Sequence, residues 1–227
     1  MSTDDPRVVL AEWIAAAGER AHVLPLAEGR GARVAAALGV SPRALLHAVA
    51  LHAAGITVDD GWIHVLAGGS DDMRADLASW NGLGADPVFA MTPNLFVVAF
   101  DALGGVFAMD GGALGVAKQR MVHYFAPDSL RWESLDGSYS TWLHWLLSDE
   151  SAVAAFYAEA RWRGWRDETR RLGLEDAIHA WPPPWTREGR DLASVSRRAV
   201  PAREVVDFTF TAAREIEARD VPGPRRA

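Results

Sequence analysis

Apolar residues recur along this chain at two different spacings, and the changes of spacing outline its elements. Val9, Trp13, Ala16 and Ala17 share one face of a helix. Pro6 suits its first position, with Asp4 or Asp5 as the cap, and Gly18 or the Pro25 region ends it. A second helix is predicted from about Glu28 to Leu38, closed by Gly39. Ser41-Pro42 reads as a cap followed by an N1 proline. It opens a helix striped by Leu45, Leu46, Val49 and Ala53 and closed by Gly55.

The period then drops to two. Ile56-Thr57-Val58 and Trp62 to Leu66 read as strands joined through the turn Asp59-Asp60-Gly61. A short helix capped by Ser70 would carry Met73, Leu77 and Trp80 inward, and residues 82–94, with Gly84, Pro87 and Pro93, read as a loop. Leu95 to Phe100 is almost wholly apolar, as a strand buried on both faces should be. Val106 to Met109, Met121 to Phe125 and Leu130 to Ser134 follow, joined by short Gly- and Pro-containing turns, so an antiparallel meander is expected.

After Tyr139 the helical period returns. Ser140 is the expected cap of a helix carrying Trp142, Leu143, Leu146 and Leu147; others are predicted from about Ala152, over Arg161 to Leu172, and from Pro201 onward. The last has Val205, Phe208, Ala212 and Ile216 on one face. The whole reads as one α+β domain over residues 1–220: an antiparallel sheet of about four to six strands, a central meander, with N-terminal and C-terminal helices packed on it. Residues 221–227 read as a disordered tail.

Composition narrows the chemistry. The 227 residues include no cysteine, which excludes disulfides, thiolate catalysis and cysteine zinc sites. Of 23 basic residues 22 are arginine, Lys118 being the single lysine. No signal peptide or 20-residue apolar run is visible, so a cytoplasmic protein without a membrane partner is expected. The net charge of −7 divides unevenly: 9 basic against 18 acidic side chains before residue 151, and 14 against 12 after it. An acidic front argues against nucleic acid; it is compatible with a basic protein partner and equally reads as a solvated surface that keeps the protein soluble.

No motif carries recognisable catalysis. His47 and His52 point roughly 140° apart on a helix, and no His-Glu-x-x-His occurs, so no metal is expected. Gly111 to Gly115 follows a strand but opens another strand, which suits a hairpin loop and not a phosphate cradle. Asp59/Asp60 and Asp71/Asp72 are sequence neighbours, better at forming turns and caps than at acid–base work. Trp181-Pro182-Pro183-Pro184-Trp185 is the most distinctive stretch. It reads either as a polyproline segment presenting aromatics to a partner or as a loop pinned by two buried tryptophans.

Gly55 to Leu66 (GITVDDGWIHVL), Phe100 to Gly115 (FDALGGVFAMDGGALG), Val122 to Leu135 (VHYFAPDSLRWESL) and Pro183-Pro184-Trp185 resemble the bacterial family catalogued as domain of unknown function 2625. The resemblance runs from about residue 8 to residue 218 and implies no catalytic residues. The order of elements, with the helix opening YSTWLHWL at Tyr139, is also similar to the SUKH superfamily, whose bacterial members are inferred to be toxin-immunity proteins.

The leading expectation is a protein-binding module, SUKH-like and serving toxin immunity, with no catalytic residues, metal or cofactor. Its candidate binding residues are Asp59, Asp60, Trp62, Asp110, Trp181 and Trp185. The alternative is a small-molecule-binding protein or an enzyme with a pocket near loops 59–62 and 110–115. The third expectation is a homo-oligomer, formed through an exposed patch at Val205 and Phe208.

Overall fold

The computed structural model describes residues 5–83, 93–116 and 119–220. Its main sheet is antiparallel and follows chain order: β1 (Ala21–Val23), β2 (Gly55–Val58), β3 (Ile63–Leu66), β4 (Leu95–Asp101), β5 (Val106–Asp110), β6 (Val122–Ala126) and β7 (Arg131–Gly137). A separate ribbon pairs β8 (Asp176–Trp181) with β9 (Ser196–Pro201). The helices are α1 (Pro6–Ala17), α2 (Arg30–Leu38), α3 (Leu45–His52), α4 (Leu77–Trp80), α5 (Tyr139–Ser148), α6 (Glu150–Phe156), α7 (Trp165–Thr169) and α8 (Ala202–Asp220). This is the expected α+β meander, with seven strands in its main sheet.

Register assigns each side chain to a face. Val65, Ala99, Phe107 and Tyr124 lie in register on one face. There Trp142 of α5 and Phe156 of α6 pack on Phe107. His64, Phe100, Val106, Phe125 and Trp132 lie on the other. Trp80 of α4 stacks on Phe100 at 5.0 Å, and Phe210 of α8 stacks on Phe125 at 4.2 Å. A sheet covered on both sides has no use for polar alternation. Accordingly β2, β3 and β6 are buried at every position, and β4 and β5 at all but one. Each large apolar side chain so buried contributes about 1.5–3 kcal/mol relative to exposure.

Asp5 caps α1 by accepting the Arg7 N–H at 2.9 Å, and Gly18 and Gly39 take positive φ where α1 and α2 stop. Three predicted starts move, two of them because another side chain caps. Ser41 Oγ accepts from Arg43 N in a turn, α3 begins only at Leu45 and ends at His52, and Gly55 is the first residue of β2. Ser70 Oγ accepts from Met73 N, whereas Asp76 caps α4, taking Ala78 N at 2.9 Å and Ser79 N at 2.7 Å. Ser138, not Ser140, caps α5.

The helix expected over 161–172 contracts to α7, and Pro201 ends β9 instead of opening α8. The proline run is a tight turn, not a polyproline helix: Pro183 O accepts from both Thr186 N and Thr186 Oγ1. Gly84, Pro87 and the 221–227 tail fall outside the described residues.

Candidate functional site

The β2–β3 turn stacks three positive-φ residues, Asp59 (52°), Asp60 (56°) and Gly61 (79°). The chain therefore reverses within the turn, and each aspartate meets arginines from elsewhere in the sequence. Asp59 accepts from Arg20 Nε at 2.9 Å and Arg161 Nη2 at 2.7 Å. Asp60 accepts from Arg166 Nε at 3.1 Å and Arg170 Nη2 at 2.9 Å. The Arg161 guanidinium also lies 4.2 Å from the Trp165 ring centroid and 5.0 Å from those of Trp62 and Tyr157, a cation–π nest. Trp62 is fully buried. These three sequence-predicted residues are thus brought together, but their partners are the protein's own side chains.

One turn further along the sheet, Asp101 is buried at the β4–β5 reversal. Its Oδ2 accepts from Tyr124 Oη at 2.7 Å and Tyr157 Oη at 3.1 Å, and its Oδ1 from Leu103 N at 2.9 Å and Gly105 N at 2.8 Å. Burial pushes this carboxyl above its ordinary range, against the pull of those four donors. Burial and the nearby carboxylate push both tyrosines well up, so they remain protonated donors. All three residues are buried, and the network pins β4, β6 and the end of α6 together. Asp110, also buried, accepts from Gly112 N at 2.9 Å and Leu114 N at 3.2 Å and so shapes the loop that follows it. Among the described residues no three His, Asp or Glu side chains converge as metal ligands.

Two surface features are open. The first is an apolar hollow of about 490 Å³ between β7, α5 and α6, lined by Leu135, Gly137, Trp142, Trp145, Ala152 and Phe156. It is lined by neither loop 59–62 nor loop 110–115, where the sequence had placed a pocket. The second is an aromatic platform on the ribbon and α8. His179 lies 6.4 Å from Trp181 and 5.4 Å from Phe208, and Trp185 lies 5.3 Å from Phe208. Trp181 is 58% exposed and Phe208 37%, while Trp185 is half-buried. Val205, expected in this patch, is instead buried against Gly104.

Comparison with known proteins places the chain. The sequence profile described as "Protein of unknown function DUF2625" matches residues 1–205. This chain belongs to the DUF2625 family. It is similar to the "Putative uncharacterized protein YbfG" of Escherichia coli (strain K12), 30% identical over 179 residues, which cover 79% of this chain and 80% of that protein. It is also similar to an "Uncharacterized protein" of Haemophilus influenzae, 28% identical over 167 residues, covering 73% of this chain and 71% of that one. No solved structure matches.

In this DUF2625 protein the span matched by the family takes in the arginine–aspartate turn, the Asp101 network, the hollow, Trp181 and Trp185; Phe208 lies beyond it. Sequence reading missed the hollow, because Trp142, Trp145 and Phe156 at helical spacing read as core. It missed His179 because β8 was not foreseen. The alternation of apolar Ile178 and Ala180 with His179 and Trp181 was the available signal.

Proposed function

We propose that this DUF2625 protein is a protein-binding module that docks through the platform of Trp181, Trp185, Phe208 and His179. One observation carries the reading: of ten tryptophans, five are buried, four half-buried, and Trp181 alone is exposed. A large aromatic kept in water on a paired strand is the usual anchor of an interface. The platform is held rigid by β8–β9 pairing and by the turn at Pro183, which lowers the entropy lost on docking. The exposed Arg198 pairs opposite His179 across the ribbon.

Toxin immunity of the SUKH kind, in the cytoplasm, is the specific form of this proposal. It rests on the order of elements, and a toxin encoded beside the gene is the partner it calls for. The test is capture from the native host with the tagged full chain and its Trp181→Ala variant, alongside sedimentation of both. A stoichiometric partner retained by the parent and lost by the variant is the expected result. An unchanged set of co-eluting proteins would sink the platform as a docking surface. A dimer that Trp181→Ala converts to monomer would make it a self-association surface instead.

A further inference from the structure

The hollow beside β7 stands apart from the platform, on the opposite face of the sheet from α8, and has its own features. β7 is the last strand of the sheet, so among the described residues the backbone groups on its outer edge have no strand partner. It is seven residues long, whereas the opposite edge strand, β1, has three. A bulge at Leu135 and Asp136, with Asp136 at φ 49°, ends regular pairing there and leaves residues 131–134 as the pairable length.

We propose that this edge and the hollow together form a docking site for an extended, positively charged segment of a partner protein, which adds to β7 as an eighth strand and places an apolar side chain among Trp142, Trp145 and Phe156.

Charge identifies the occupant. β7, α5, α6 and the residue joining the two helices carry the exposed carboxylates Glu133, Asp136, Asp149 and Glu150 against one cation, Arg131. Among the described residues none of the four enters an ion pair, in contrast to Asp59, Asp60, Asp76 and Glu168. Strand alternation puts Glu133 on the face of Leu135, toward the hollow. Partial burial and the neighbouring Asp128 raise its carboxyl, the response of an acid with no cation at hand.

The edge carries two carboxylates, Glu133 and Asp136, against the single cation Arg131, and so disfavours an acidic strand. It favours a strand rich in Lys or Arg. Edge protection alone accounts for the charges but not for the hollow behind them, whose volume falls within the roughly 300–1,000 Å³ of ligand pockets. Strand addition uses both features: the edge supplies main-chain hydrogen bonds, and the hollow selects a side chain.

The experiment is to pan a displayed library of random nine-residue peptides on the full-length protein, on Glu133→Lys/Asp136→Lys, and on Trp181→Ala. Hydrogen exchange of the complex with the best peptide follows. The parent and Trp181→Ala should both enrich peptides with Lys or Arg flanking an aromatic or branched residue, which separates this site from the platform. Bound peptide should protect amides within 131–134. Both carboxylates in the variant are exposed, so it should fold, and it should bind the selected peptide about tenfold more weakly, as reversal of two surface charge contacts implies. Four outcomes would overturn the proposal. They are no enrichment, enrichment indifferent to the charge reversal, peptide binding without protection of β7, and occupation of the hollow by small apolar compounds alone.

Discussion

Asp59 and Asp60 are sequence neighbours in one turn, share left-handed backbone, and each meets two arginines. Burial is what separates them. The side chains of Arg20 and Arg161 are 17% and 9% exposed, while Arg166 and Arg170 are 57% exposed each. Removing one member of a buried pair costs about 3–5 kcal/mol, because the remaining charge is left without compensation. A surface pair is worth about 0–1 kcal/mol. Asn keeps the shape, tolerates positive φ and retains one acceptor, so Asp59→Asn should cost about 3 kcal/mol, the low end, and Asp60→Asn under about 1 kcal/mol. With a urea m-value of roughly 2–3 kcal/mol/M, the midpoint should fall by at least about 1 M in the first variant and by less than about 0.5 M in the second. The m-value should stay constant. Arg161→Met combined with Asp59→Asn should cost less than the sum of the two, since they share one contact. Equal midpoint shifts for the two asparagine variants would refute the reasoning, because identical local chemistry would then outweigh burial.

Two further predictions come from the buried polar groups. Burial lowers the pKa of His64 from 6.5 to about 4; its Nε2 lies 3.0 Å from Gly61 O, an acceptor only, so that nitrogen carries the proton. The unfolded chain therefore binds more protons between these values, and the stabilisation present above pH 6.5 is lost as pH falls toward 4, by about 3 kcal/mol. His64→Gln keeps a donor for Gly61 and should flatten that part of the stability–pH curve; parallel curves for parent and variant would contradict the assignment. In Gly105→Ala a Cβ would fall 2.3 Å from both Asp101 Oδ2 and Tyr124 Oη. Overpacking and weakened hydrogen bonds to the carboxylate should together cost about 3–5 kcal/mol by thermal or urea unfolding. A loss below about 1 kcal/mol would mean that the network relaxes freely.

The meander was legible because its strands are buried on both faces and separated by turn residues, so Leu95 to Phe100 and Val122 to Phe125 announce themselves by apolar continuity. The elements that escaped are those whose side chains follow no period. β1 is three residues, one of them buried. β9 reads Ser-Arg-Arg-Ala-Val-Pro and is polar because it is the outer strand of a two-stranded ribbon. The helix caps were misplaced because Ser41 and Ser140 sit within one turn of the observed starts, and Ser70, six residues before the Asp76 cap, opens a turn of its own. A cap is decided by which backbone the chain bends toward, and sequence spacing does not contain that.

The candidate site shows the same limit more sharply. Summing charge over blocks of sequence gives an acidic front and a mildly basic back, and suggests a surface waiting for a basic partner. The fold brings the two blocks together. Asp59 reaches an arginine 39 residues before it and another 102 residues after it, and Asp60 takes one 110 residues away. Two of the acids in that front, Asp59 and Asp60, are consumed in closing the β2–β3 turn beside Trp62. Glu133 and Asp136 stand on β7, at the opposite edge of the sheet from β1, and among the described residues neither enters an ion pair. The basic partner proposed above is therefore assigned to Glu133 and Asp136, and not to Asp59 and Asp60, whose cations lie within the chain. Topology makes that distinction, by deciding which acids meet a cation within the chain and which are left to meet one outside it.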